Sequence, residues 1–415
     1  MMQKTINVLH ITPHLGGGVG KALSGLVCQA AQSKQGVRHK IVCLEEPEKL
    51  QFVNIIKSCG CPVYLSPSEK ELLLLVGEAD IVQLEFWNHP AIPKMLCSLT
   101  LPAHRLLVWC HVSGLHTPKI PGGILRAAHK FLFTSQCSYE APEIADLKES
   151  EKANLGVVSS GTVDGIPPMP QRLKDSLRVG YVGSLNFSKL HPDFVKFLSA
   201  IRIPGFTVKV YGDPVNSEVL KQQCNEIGKP ELLDLCGYSE DIYKELAELD
   251  ILIYLLNPEH YGTAENALLE AMAMGVIPIV MNNPAERQIV EHKKTGIVID
   301  SPEELADAIN WLVANPDEKD RITKETSYTV RKQFTCTEMI SKMNDQYQSI
   351  LFNSKKNIDY LQIFGEKPYH WFMSFQRDNV VCTEKDFFDK KGFCSTSGDV
   401  EKTKGTLFHF ATYRY

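Results

Sequence analysis

Several things are missing from this sequence of 415 residues, and each absence closes a class of function. It has no surplus of one charge: 44 Lys and Arg face 49 Asp and Glu, a formal net charge of −5. Its basic pairs, Lys293-Lys294, Lys355-Lys356 and Lys390-Lys391, are short and isolated. No nucleic-acid-binding surface is therefore expected. It has no long apolar run, since Ile251–Leu256 is far below the roughly 20 residues that cross a bilayer. Only peripheral contact with a membrane stays open. No signal-peptide core precedes the strand-like run that follows Met1 to Asn7. The 12 cysteines, scattered from Cys28 to Cys394, include no CxxC spacing, and Cys59 with Cys61 lacks a second pair at zinc-ligand distance. Reduced thiols and a cytoplasmic location are the expectation.

What is present is a rhythm. Short runs rich in Val, Ile and Leu alternate with helical patterns over the first 345 or so residues, which predicts parallel sheets with crossover helices. Strands are expected at Ile6–Thr12, Lys40–Leu44, Asp80–Leu84, Leu106–Cys110 and Lys130–Thr134. A second series follows at Arg178–Val182, Phe206–Tyr211, Leu232–Cys236, Asp250–Leu256, Val276–Met281 and Gly296–Ile299. Between them, at Ser159–Pro170, Gly, Pro and Ser cluster and the periodicity stops. The fold class is α/β, with two Rossmann-like doubly wound domains at 1–165 and 175–345. A helix at Cys336–Leu351 leads into an aromatic-rich extension over 346–415. A chain this long exceeds one ordinary core, and ligands are expected at the carboxyl ends of the strands, in the cleft between domains.

Two segments carry chemistry. Gly16-Gly17-Gly18-Val19-Gly20 follows the first strand and precedes an apolar helix at Ala22–Ala31. That order suits backbone amides facing an anion, or a tight turn for close helix packing. The Walker A pattern fails, because Leu15 stands at its first Gly and Ala22 follows Lys21; the dinucleotide fingerprint fails at Lys21. The second segment is Tyr261-Gly-Thr-Ala-Glu-Asn-Ala-Leu-Leu-Glu-Ala-Met-Ala-Met-Gly275, between two apolar strands. Thr263 is the expected N-cap, Glu265 a first-turn acid and Gly275 the C-terminal stop. Ala267, Leu268, Ala271 and Met272 form the expected buried stripe, with Asn266 and Glu270 sharing the face beside it.

The run Glu270-Ala-Met-Ala-Met-Gly275, with the opening glycines, His111 at a strand end and Lys189 after Gly183-Ser-Leu, resembles the family-4 retaining glycosyltransferases (glycosyl transferases group 1), which have the GT-B fold. The resemblance covers roughly residues 5 to 350. It implies a nucleotide-diphosphate sugar as donor and a glycan, lipid-linked or other hydroxyl acceptor, with polysaccharide biosynthesis as the setting. Glu270 stands where the family's second motif Glu binds the donor ribose. The first Glu of that motif is replaced by Gly262, and Glu259 or Glu265 is left to supply the sugar-contacting carboxylate. Lys189 is kept from the diphosphate clamp, whereas Ser184 stands where Arg is usual.

His111 stands where the family places a His facing the donor sugar; His10, His14 and His116 have no such support. Tyr238 stacks on the base or merely packs. Donor-binding residues are thus expected among Gly16, Gly17, Gly18, Ser184, Lys189, Tyr238, Gly262, Thr263, Ala264, Glu265, Asn266 and Glu270, and catalytic ones at His111, Lys189 and Glu270.

The resemblance implies front-face transfer with retention of configuration, the diphosphate charge being met by fixed donors. No two aspartates are separated by one residue, so the Asp-x-Asp metal clamp of the other major glycosyltransferase fold is absent, and neither a metal nor another cofactor is expected. Two rivals share the fold: a sugar-nucleotide epimerase and an inactive nucleotide- or carbohydrate-binding protein.

Overall fold

Parallel strands need crossovers long enough to return to the same edge, and helices on both faces leave little room for polar residues. The computed structural model shows this pattern twice. It describes residues 5–33, 36–172, 177–377, 383–389 and 407–413. The expected basic pair Lys390-Lys391 and Cys394 lie outside the described residues.

The chain divides into two compact units, 1–160 with 336–415, and 161–335. The first holds β1 (Ile6–Thr12), β2 (Val37–Cys43), β3 (Val63–Leu65), β4 (Ile81–Phe86), β5 (Leu106–Cys110), β6 (Lys130–Phe133) and β7 (Leu155–Val157), in the order β3-β2-β1-β4-β5-β6-β7. The second holds β8 (Val179–Val182), β9 (Val208–Tyr211), β10 (Leu233–Gly237), β11 (Ile251–Tyr254), β12 (Ile277–Met281) and β13 (Ile297–Ile299), in the order β10-β9-β8-β11-β12-β13. Both orders reverse once, between β1 and β4 and between β8 and β11. In a doubly wound sheet the crevice at that reversal receives the ligand.

The first unit is not continuous in sequence. The helix Cys336–Ile350 returns to it, burying Met339, Ile340, Met343, Tyr347 and Ile350 with Ile6, Val8, Leu107 and Trp109 of the sheet. The βα rhythm, which resumes after Ser159–Pro170 and runs to about 345, does not signal this return. The expectation of reduced thiols is overturned at one pair: Cys28, on the helix Gly17–Ser33, forms a disulfide with Cys59, which ends the helix Gln51–Ser58. The two helices pack on one face and bring the Cα atoms to 5.2 Å, within disulfide reach. A separation of 31 residues hides that proximity from any local spacing rule. Among the described residues, no helix is long and apolar enough to cross a membrane.

Candidate active site

In the second unit, the loop after β8 and the segment after β11 meet at the sheet's reversal. Asn257 N–H donates to the Lys189 carbonyl at 2.6 Å and His191 N–H to the Leu255 carbonyl at 3.0 Å, so the two segments are tied by backbone, and Asn257 Nδ2 adds a bond to the Phe187 carbonyl at 2.8 Å. This fixes the Lys189 ammonium 3.1 Å from Glu265 Oε2, which also accepts from the Tyr254 hydroxyl at 2.7 Å. Glu265 is 5 % exposed. Burial alone would push its carboxyl up, but Lys189, His260 and the Tyr254 hydroxyl hold it below the usual range. Burial likewise pulls against the Lys189 charge, and Glu265 more than offsets it. His260 accepts from Gly262 N–H at Nδ1 (3.0 Å) and presents Nε2 at 3.0 and 3.2 Å to the oxygens of buried Glu286.

Glu265 departs from the expected first-turn position, and Thr263 is not the cap. The helix runs Asn266–Ala273, and Glu265 is its cap residue in left-handed backbone, φ 32°. A non-glycine residue held there is strained by about 1–3 kcal/mol, which persists where the surroundings fix it. Here the inward carboxylate is the reason: it serves Lys189 and Tyr254 instead of the helix amides. The helix end follows expectation, since Gly275 (φ 74°) donates to the Met272 carbonyl and Val276 to that of Ala271, both at 2.9 Å. The buried stripe holds Leu268, Ala271 and Met272 as expected, with Leu269 and Ala273 added and Ala267 only partly buried.

Gly262 explains the missing motif Glu. A Cβ on Gly262 would collide with Glu265 Oε1, so a side chain at 262 and the carboxylate of Glu265 compete for one space. Oε1 of Glu265 and Oδ1 of Asn266 are buried atoms without a partner among the described residues. Adjacent buried acceptors of this kind call for a donor from outside the protein. Thr263 and Ala264 are buried beside them, Glu270 is half-buried one turn on, and Glu259 is exposed. Ser184 Oγ donates to Asp213 Oδ2 at 3.0 Å, which puts a carboxylate beside the position where the clamp's Arg was expected. Tyr238 is 74 % exposed, so it is not part of the core.

In the first unit, the glycines are not a loop ahead of the helix. Gly17 and Gly18 form the exposed first turn of Gly17–Ser33, and Gly17 takes φ 53°. His111 follows β5 and is largely buried. Its ring lies 5.0 Å from Trp109 and 6.2 Å from Trp87, and Nε2 is 2.8 Å from Glu85 Oε2. His10, without support in the sequence, is 3.2 Å from Glu85 Oε1 through Nδ1 and 2.8 Å from His39 Nδ1 through Nε2. Gln83 donates to Glu85 Oε1 at 2.7 Å and accepts from the Tyr347 hydroxyl at 2.6 Å. Gln83 and Glu85 escaped the sequence reading. Their signal is Val-Gln-Leu-Glu-Phe in a central parallel strand, where every residue is buried and an uninterrupted apolar run is the rule.

Among the described residues, no three His, Cys, Asp or Glu side chains group as a metal site. Residues 168–328 match the family model described as "Glycosyl transferases group 1". The chain is 34% identical over 90 residues to "Putative glycosyltransferase YtcC" of Bacillus subtilis (strain 168), covering 21% of this chain and 22% of that one. It is 28% identical over 153 residues to "Exopolysaccharide phosphotransferase SCO2592" of Streptomyces coelicolor, covering 35% of this chain and 15% of that one. The chain thus spans about a fifth of the length of these curated relatives or less. Among solved structures, Anabaena Alr3699/HepE in complex with UDP-glucose is similar in fold, with TM-score 0.65, 16% identity, and 83% and 100% of the two chains covered. Two Rossmann-like units with these strand orders are the GT-B fold, and residues 168–328, which lie almost wholly in the second unit, match the glycosyl transferases group 1 model.

Proposed function

We propose that this protein is a retaining glycosyltransferase that uses a nucleotide-diphosphate sugar and glycosylates a hydroxyl of a glycan or lipid-linked acceptor in polysaccharide biosynthesis. The observation that carries it is the buried Lys189–Glu265 pair at the reversal of the second sheet, in the segment that matches the group 1 family. The UDP-glucose complex of the Anabaena neighbour and the exopolysaccharide relative support the donor class and the setting.

In this reading the bond from the sugar's anomeric carbon to the diphosphate breaks, and the bond to the acceptor oxygen forms on the same face. The acceptor's proton passes to the departing phosphate. Charge grows on the diphosphate as the bond breaks, and Lys189 meets it as a fixed cation. Glu265 supplies the carboxylate that faces the transferred sugar, through the Oε1 that no protein donor uses. Glu270 accepts from the ribose hydroxyls, the amides at Gly16–Gly18 add donors, Tyr238 stacks on the base, and no metal takes part.

Incubation with a panel of UDP-, GDP- and dTDP-sugars tests the reading. Release of nucleoside diphosphate with an α-linked product from an α-linked donor is expected. An inverted product, or a free epimerised sugar, overturns it. One observation favours a second reading, a binding protein without turnover: Ser184 and Asp213 leave the diphosphate side with one cation fewer. Saturable nucleotide-sugar binding with no release of diphosphate under any acceptor would establish that instead.

A further inference from the structure

A chain of polar side chains crosses one face of the first unit's sheet and converges on one carboxylate, which Gln83, His10 and His111 reach directly and His39 and Tyr347 through them. In the register of the strands, His39 on β2 is the partner of Val8, His10 on β1 that of Gln83, and Glu85 on β4 that of Trp109 on β5. Residues two apart on a strand share a face, so His39, His10, Gln83 and Glu85 form a stripe, with His111 just past the end of β5 and Tyr347 above it from the returning helix. Glu85 is fully buried and accepts from Gln83, His10 and His111. Burial pushes its carboxyl up, but the bonds from His10 and His111 outweigh this and keep it ionised.

An ionised carboxylate only accepts hydrogen bonds, so each ring nitrogen that touches it carries a proton. For His111 that nitrogen is Nε2. With Trp109 and Trp87 along its ring, the imidazole keeps one edge open, at Nδ1, which has no partner among the described residues. We infer that Glu85 is a positioning residue: it holds His111 as the Nε2–H tautomer and turns the Nδ1 lone pair outward as an acceptor for a sugar hydroxyl. The last clause rests on the transferase reading; the tautomer does not. One placement of protons then serves every hydrogen bond of the stripe and leaves His39 Nε2 as its one buried atom without a hydrogen-bond partner among the described residues. His39 Nδ1–H donates to His10 Nε2, His10 Nδ1–H to Glu85, and the Tyr347 hydroxyl to Gln83, whose amide nitrogen donates to Glu85. His39 fits as the neutral end, since burial and His10 hold its ring well below the usual histidine range.

The decisive experiment is a long-range proton–nitrogen correlation spectrum of the full chain with 15N-labelled histidine, in which the His111 signals are those lost in His111→Gln. The Nε2–H pattern is expected, and a dominant Nδ1–H pattern overturns the inference even before any variant is made. In folded Glu85→Leu, the tautomer preference should disappear. Its kcat should fall on the order of 10²–10⁴-fold, as when a histidine loses the carboxylate that orients it. KM for the nucleotide sugar should change far less. A Glu85→Leu protein with unchanged tautomer, or with wild-type kcat, overturns the proposal. If the wild type transfers no sugar, the transferase reading fails, while the spectrum still decides the tautomer.

Discussion

Two buried carboxylates stand at the reversals of two sheets with the same strand order, and they are treated in opposite ways. Glu85 sits on a regular strand, and Gln83 of the same strand, His10 of β1 and His111 just past β5 donate to its two oxygens. Glu265 sits in strained backbone after a loop, faces a cation, and keeps Oε1 without a partner among the described residues. The first arrangement is rigid and complete without a ligand. The second is incomplete, and its strain and open acceptor both persist only because the fold holds them. On the readings proposed above, the same side chain type aims a neighbour in one unit and awaits a substrate in the other.

The sharpest way to break this comparison is Lys189→Ala. Loss of one fixed donor to the departing diphosphate should lower turnover on the order of 10²–10³-fold. Glu265 would also lose its cation, at a cost in stability below the roughly 3–5 kcal/mol of a fully buried pair, since the Lys189 side chain is 29 % exposed. Adding Glu265→Gln should restore the melting temperature and leave turnover low. If it restored both, the pair would be structural and Lys189 would have no part in turnover.

Next in size is the cross-link, which belongs to the first unit alone. Closing a loop of 31 residues should contribute roughly 3–4 kcal/mol, so Cys28→Ser should melt well below the wild type under oxidising conditions. Equal melting under reducing conditions completes the test. Glu270→Gln should weaken donor binding in calorimetry by about 1.5–3 kcal/mol, the worth of a charge-assisted hydrogen bond. An unchanged affinity would return Glu270 to an ordinary half-solvated helix face.

Acid offers a smaller effect. Both Glu85 and Glu265 are held below the ordinary glutamate value of 4.5, so the folded state binds their protons less tightly than the unfolded state. Their stabilisation is complete above that value and is lost as the pH falls below it. Melting curves from pH 6 to 3 should show this loss, and Glu85→Gln or Glu265→Gln should each blunt it. Nucleotide sugar should protect against acid through Glu265 and not through Glu85. The smallest effect expected is none: transfer should survive excess EDTA, and restoration by manganese after chelation would refute the metal-free account.

The sheets were legible because their strands are apolar on both faces and bounded by Gly and Pro. β3 and β7 escaped because each has three residues, too few for a periodic signal. The candidate donor site was half legible. Lys189, Glu265 and Glu270 stand in a recognisable pattern, but the competition of Gly262 with Glu265 for one space is a fact of three dimensions. Cys28–Cys59 and the stripe ending at Glu85 were hidden for the same reason, since each depends on which helices and strands become neighbours. Gln83 and Glu85 alone left a trace, as polar residues in a strand that should have had none.

The return of residues 336–350 to the first unit has a bearing on how the chain is made. Tyr347 completes the stripe and Met339, Ile340 and Met343 close its core, yet the ribosome delivers them after the whole second unit. A nascent chain of 335 residues would hold a finished second unit and a first unit with an apolar face still open to water. Release by arrest at that length should bind chaperones or aggregate, and translation of about fifteen more residues should end the exposure. The half of the molecule that begins first is thus the half that matures last.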